Sequence, residues 1–212
     1  MKLLAKIISI IFHPVFIPVY LSFIIVEYNP NSFINLYGKY YISVMAMIAI
    51  LMVGYPLITL LIMRGLGMIK NFNLRDVKDR FIPMIAVATF YLWTFMMFRP
   101  NSNTVYDVGP LLSNMILGSV VSIFLAFFFN SFYKISLHAI GVGAMVSVIM
   151  NIMPNADFNM TLVFIASIVV AGTVASARLY LKEHTQKEVF MGLLAGFFAQ
   201  FFAYQVLGTF FK

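Results

Sequence analysis

The sequence predicts an all-α fold, a polytopic transmembrane helix bundle of six to seven spans that forms one integral membrane domain over residues 1–212. Hydrophobic residues make up 62% of the chain and charged residues 10%, and the mean hydropathy is +0.96. A soluble domain is nearer half apolar and a quarter charged. Apolar stretches long enough to cross a bilayer core of about 30 Å follow one another, separated by short polar breaks. These observations exclude an ordinary soluble domain.

Seven apolar stretches are predicted as membrane helices, in the order 4–26, 40–63, 81–98, 110–130, 136–153, 160–181 and 187–211. The first has Lys2 and Lys6 before it, as a signal peptide would. Its apolar run continues to Val26 without an Ala-x-Ala-like cleavage site, so we predict a retained helix. The later breaks contain turn-forming residues, for example Asn29-Pro30-Asn31. The chain has no cysteine, which excludes disulfides and thiolate metal sites.

The basic residues alternate between the two predicted faces of the membrane. With seven spans, three of them lie on one face, at Lys39, Arg99 and Lys212. The opposite face holds the other eleven: Lys2, Lys6, Arg64, Lys70, Arg75, Lys78, Arg80, Lys134, Arg178, Lys182 and Lys187. Because cytoplasmic loops carry an excess of Lys and Arg, we predict that this basic face is cytoplasmic. The expected location is a bacterial cytoplasmic (inner) membrane, and the net charge of +7 is explained by topology and anionic lipid rather than by nucleic acid.

Polar residues capable of chemistry gather on the basic face. His138 lies where the fifth predicted span begins, and His184 lies between the sixth and seventh spans, four residues before Glu188. The basic face also supplies guanidinium and ammonium groups, at Arg75, Lys78, Arg80 and Arg178. Arginine binds phosphate oxygens bidentately, one histidine can attack phosphorus, and a second can protonate the departing alkoxide. This combination predicts phosphate chemistry.

The spacing of these residues resembles that of the type 2 phosphatidic acid phosphatase superfamily. Arg178, five residues, His184, three residues and Glu188 are similar to its third signature, Ser-Arg-x5-His-x3-Asp, with glutamate in place of aspartate. Ser136-Leu-His138 is similar to the end of the second signature, Pro-Ser-Gly-His. The first signature, Lys-x6-Arg-Pro, is matched only loosely: alignment on Pro83 brings Arg75 to the lysine position and Ile82 to the arginine position, whereas alignment on Arg80 brings Asn73 to the lysine position.

The resemblance implies a lipid phosphatase that works through a phosphohistidine, with neither a metal nor a cofactor. His184 would be the nucleophile, Glu188 would orient it, and His138 would be the general acid. Arg178 and Arg80, with Arg75 or Lys78, would bind the phosphate, and Ser136 would add a hydroxyl or backbone donor. The implied partner is a phosphorylated lipid in the bilayer, of the phosphatidate, phosphatidylglycerol phosphate or prenyl pyrophosphate type.

Two other classes of protein stay open at the level of sequence. A catalytically degenerate relative would bind lipid or phosphate without hydrolysis, which would agree with the incomplete first and second motifs. A small transporter is less favoured, since transporters usually hold their polar site near the bilayer midplane. Outside the motifs, His13 is interpreted as structural, satisfying carbonyls freed by Pro14 and Pro18, and Gly192-x3-Gly196 as a helix-packing face.

Overall fold

The computed structural model describes residues 1–34, 36, 40–69, 77–99 and 108–207. Within those ranges all regular structure is helical. The helices are α1 (Lys2–Ile11), α2 (Ile17–Tyr28), α3 (Tyr41–Ala49), α4 (Tyr55–Gly65), α5 (Val77–Phe98), α6 (Gly109–Asn130), α7 (Leu137–Ile152), α8 (Thr161–Tyr180) and α9 (Gln186–Phe202). Short 3-10 turns follow α2 at Pro30–Phe33 and α7 at Met153–Asn155, and a π-turn follows α9 at Ala203–Leu207.

Five helices of the described chain are long and apolar enough to cross a membrane: Tyr41–Gly65, Asp79–Phe98, Gly109–Asn130, Leu137–Asn155 and Thr161–Tyr180. The first of these joins α3 to α4 through a π-turn at Ile50–Gly54. All five coincide with predicted spans to within a few residues. The predicted class, an all-α membrane protein, is supported at this level.

The first predicted span is not one helix, so the prediction of a continuous helix over 4–26 is wrong. α1 ends at Ile11 and α2 begins at Ile17. Pro14 and Pro18 lie on either side of the start of α2 at Ile17. Because proline has no N–H to donate and its ring obstructs the preceding turn, the α-helical hydrogen-bond ladder is interrupted there. The intervening turn is closed by a bond from the Phe16 N–H to the His13 carbonyl, at 2.9 Å.

The closest helix packing in the described chain is between α7 and α9, which run in the same direction. A side-chain carbon at Gly192 would lie 2.8 Å from the Ser136 carbonyl oxygen, and one at Gly196 would overlap the Ile140 carbonyl oxygen. A side-chain carbon at Gly143 on α7 would likewise overlap the Leu193 carbonyl oxygen. The predicted small-residue packing face is therefore confirmed, and it holds the first turns of α7 and α9 side by side.

Candidate active site

His184 and Glu188 form a hydrogen-bonded pair at the start of α9. His184 Nδ1 lies 2.8 Å from Glu188 Oε2. An ionised carboxylate only accepts, so Nδ1 must carry the proton and donate it. The neutral ring then has its lone pair on Nε2, which no described group engages, and the His184 side chain is only 2% exposed. A histidine held in this tautomer presents one nucleophilic nitrogen in a fixed direction.

The same carboxylate also caps the helix. The Thr185 N–H donates to Glu188 Oε2 at 3.1 Å, and the Glu188 N–H donates to Thr185 Oγ1 at 3.3 Å. This reciprocal arrangement is a capping box, in which the longer glutamate side chain reaches back to the N-cap residue. The capping box gives a physical reason for glutamate at this position. The pattern Thr185-x-x-Glu188 is a sequence signal of a capping box, which motif comparison alone overlooks.

Burial lowers the pKa of His184 from its ordinary value of 6.5 to about 4. The hydrogen bond to Glu188 raises this pKa, while the positive charges of Arg178 and Arg80 lower it. Loss of hydration is the largest of these effects, because it penalises the imidazolium. His184 is therefore neutral at pH 7, as a nucleophile must be.

His138 is held by the first helix of the chain. Its Nε2 lies 3.0 Å from the Ser9 carbonyl oxygen. A carbonyl only accepts, so Nε2 carries a proton and Nδ1 is left as the nitrogen that can exchange one. The imidazole ring of a third histidine, His13, lies edge-on to His138 with the ring centroids 5.1 Å apart.

Two arginines on different helices line the same cavity. Arg80, near the start of α5, is 5% exposed and donates from Nη1 to the Ile135 carbonyl at 3.0 Å. Arg178, near the end of α8, donates from Nη1 to Ser9 Oγ at 3.4 Å. Its Nε is buried without a hydrogen-bond partner in the described structure. A buried guanidinium with an unused donor is unusual, and an anion would satisfy it.

The cavity that joins these groups is strongly amphipathic and has a volume of about 190 Å³. Its charged or titratable lining includes His13, Arg80, His138, Arg178 and His184, and Ser119, Ser122 and Gln200 also line it. Its apolar walls come from α2, α4, α5, α6 and α7, and include Leu21, Leu57, Val87, Tyr91 and Ile123. Leu57, one of these apolar lining residues, is 38% exposed.

One described residue that was predicted to bind phosphate, Ser136, does not line this cavity. Ser136 is fully buried, is not among the residues that line the cavity, and accepts from the Ala139 N–H at 3.4 Å as the N-cap of α7. Its own N–H donates to the Glu188 carbonyl at 3.4 Å. Ser136 thus positions the start of α7 instead of contacting phosphate directly. Arg75 and the side chain of Lys78 lie outside the described part of the chain.

The structure adds two residues that sequence reasoning did not place in the site, Ser9 and His13. Both lie in the first predicted span, four residues apart, where polar side chains are costly unless they have a partner. The prediction that His13 satisfies freed carbonyls is wrong, because its Nδ1 instead accepts from the Val15 N–H at 3.4 Å. An i,i+4 pair of polar residues within an apolar span was the available signal.

Comparison of this chain with models of protein families, with curated proteins and with solved structures finds no match.

Proposed function

We propose that this protein is a membrane-embedded lipid phosphatase that hydrolyses a phosphate monoester or pyrophosphate through a phosphohistidine. The observation that carries the proposal is the convergence of an oriented neutral histidine, a second histidine and two arginines at the polar end of one apolar cavity. They come from α5, α7, α8 and α9, which are distant in sequence. The motif resemblance and this convergence are independent arguments for the same chemistry.

In the first step, Nε2 of His184 attacks phosphorus and the bond from phosphorus to the leaving oxygen breaks. The monoanionic substrate first gives its phosphate proton to Nδ1 of His138, and the leaving oxygen takes that proton as the bond breaks. Glu188 stabilises the positive charge that develops on the His184 ring. Arg178 and Arg80 neutralise the phosphoryl oxygens in the transition state, with the unpaired Nε of Arg178 as one donor.

In the second step, water attacks phosphorus and the nitrogen–phosphorus bond breaks. Neutral His138 takes a proton from that water at Nδ1 and passes it to the departing phosphate, so both histidines return to their neutral starting states. Every proton is accounted for by the substrate, the two imidazoles and water, so the sequence of steps requires no cofactor.

The shape of the cavity favours an amphiphilic substrate. The cavity-lining residues of α5 extend from Arg80 to Tyr91, which corresponds to about 16 Å of helix rise, roughly half of a bilayer core. A phosphate bound at the arginines would leave its hydrocarbon chain along these apolar walls.

The decisive experiment is release of phosphate from phosphatidate and from prenyl pyrophosphate by the full chain in detergent. We expect vanadate-sensitive release by the wild type and none by His184→Ala, since His138 and His13 both carry their proton on Nε2 and so have no lone pair at that nitrogen. Release by His184→Ala at the wild-type rate would refute the mechanism. No release by the wild type, together with retained lipid binding, would instead favour a non-catalytic lipid-binding protein.

We further propose a six- to seven-span topology with the site on the cytoplasmic face of a bacterial inner membrane. Removing the four cations assigned to the site, Arg75, Lys78, Arg80 and Arg178, still leaves a basic excess of seven against three on that face. With seven spans, an alkaline phosphatase fused after Lys212 should be active and a green fluorescent protein fused there should be dark. The opposite pattern would contradict the proposed orientation.

A further inference from the structure

The first helical segment carries a third histidine that the proposed reaction does not use. His13 lies in the break between α1 and α2 and lines the cavity. Its Nδ1 accepts from the Val15 N–H, so the neutral ring must carry its proton on Nε2. No group of the described structure accepts from Nε2. A polar N–H left unpaired beside an apolar cavity is costly unless a ligand supplies the acceptor.

The position of His13 along the cavity is set by its neighbours. A side-chain carbon at Gly141, one turn beyond His138 in α7, would lie 3.2 Å from Pro14 Cα. Pro14 of this break therefore packs against α7 one turn beyond His138, and the cavity lining also includes Ile17 and Leu21 of the following helix. A lipid whose leaving oxygen contacts His138 would have the adjoining part of its backbone beside the neighbouring His13 ring.

The separation between the two rings indicates which part of the lipid meets His13. The centroids of His138 and His13 are 5.1 Å apart, about four covalent bonds along an extended chain. If His138 protonates the leaving oxygen, a glycerol lipid has its first acyl ester group within that distance. A prenyl phosphate has only hydrocarbon there.

We propose that His13 is a specificity-determining residue, which donates from Nε2 to an ester oxygen next to the scissile bond and so favours acylglycerol phosphates over prenyl phosphates. This inference rests on the proposed phosphatase function for its kinetic test. A purely structural role for His13, as the acceptor for the Val15 N–H in the turn before α2 and as a ring packed on Phe16 and His138, would affect all substrates alike.

The test compares dioleoyl phosphatidate with farnesyl monophosphate, using the full chain and three variants. His13→Phe keeps an aromatic ring but removes the N–H donor. His13→Gln removes the ring but supplies an amide N–H as the donor. Ser22→Ala is the matched control, because Ser22 is buried on α2, bonds to the Pro18 carbonyl at 2.8 Å and does not line the cavity. We expect His13→Phe to lose about tenfold in kcat/KM on phosphatidate, the value of one hydrogen bond, and little on farnesyl phosphate.

His13→Gln should recover part of the preference, and Ser22→Ala should keep the wild-type ratio of the two substrates. Equal losses on both substrates, or no loss on either, would overturn the proposal. If the wild type releases no phosphate, the phosphatase proposal fails, and binding then decides the role of His13. In that case we expect a dioleoylglycerol phosphonate to stabilise the wild type against thermal unfolding more than hexadecylphosphonate does. This difference between the two ligands should disappear in His13→Phe. An unchanged difference would refute the inference.

Discussion

Glu188 performs two tasks that a single substitution can separate. Glu188→Gln keeps a side-chain oxygen that can accept from the Thr185 N–H, so the capping box survives. It removes the negative charge that lies 2.8 Å from His184 Nδ1. A hydrogen bond to a charged group contributes about 1.5–3 kcal/mol. Since the Glu188 side chain is 21% exposed, we take the lower half of that range.

Because each 1.4 kcal/mol of transition-state stabilisation is a factor of about ten in rate, we expect Glu188→Gln to lower kcat by about ten- to fortyfold. Its melting temperature should stay close to that of the wild type. The assay is phosphate release from phosphatidate in detergent micelles, measured beside thermal unfolding of the same preparations.

Thr185→Ala is the matched control for the role of Glu188. It removes the hydroxyl that accepts from the Glu188 N–H, which should cost about 1 kcal/mol of helix stability, but it leaves the bond between His184 and Glu188 in place. We therefore expect it to melt earlier while keeping the wild-type kcat. Unchanged kinetics in Glu188→Gln, or an equal loss of kcat in Thr185→Ala, would refute the assignment of Glu188 as the group that orients His184.

Three further predictions concern pH, the general acid and helix packing. Because the pKa of His184 is lowered to about 4, its ring stays neutral as pH falls, and the acid limb of kcat/KM should lie near pH 4. In Glu188→Gln the limb should move to lower pH, since the missing charge no longer raises that pKa. A limb near pH 6.5, the ordinary pKa of histidine, that Glu188→Gln does not move would contradict this prediction. His138→Ala should reduce kcat more for a phosphomonoester than for a pyrophosphate, since a poor leaving group depends most on its proton, and equal losses on the two substrates would argue against His138 as the acid. Gly196→Ala should separate α7 from α9, since its new methyl would overlap the Ile140 carbonyl oxygen. The yield of folded, monodisperse protein should therefore fall sharply. Gly172→Ala, whose new methyl meets open space, should be tolerated.

The sequence alone was sufficient to predict the membrane class. Apolar stretches of bilayer length have few alternatives to a helix, because lipid cannot satisfy backbone polar groups. The spacing of His184 and Glu188 also identified a hydrogen-bonded pair in advance, since a four-residue separation at the start of a helix allows two side chains to meet. Both are consequences of local chain geometry, which sequence spacing determines.

The contribution of the first helical segment was decided only by tertiary structure. Ser9 contacts Arg178 and His138 across sequence separations of 169 and 129 residues, and no spacing rule predicts such contacts. Hydropathy reported 4–26 as one span because it measures apolar character and does not register the interruption of the helix at Pro14 and Pro18. Ser136 shows the converse: its motif position suggested a phosphate contact, but packing of α9 against α7 buries it and makes it a cap. Local geometry sets which residues can pair within a helix, whereas packing between helices decides which of them reach the cavity.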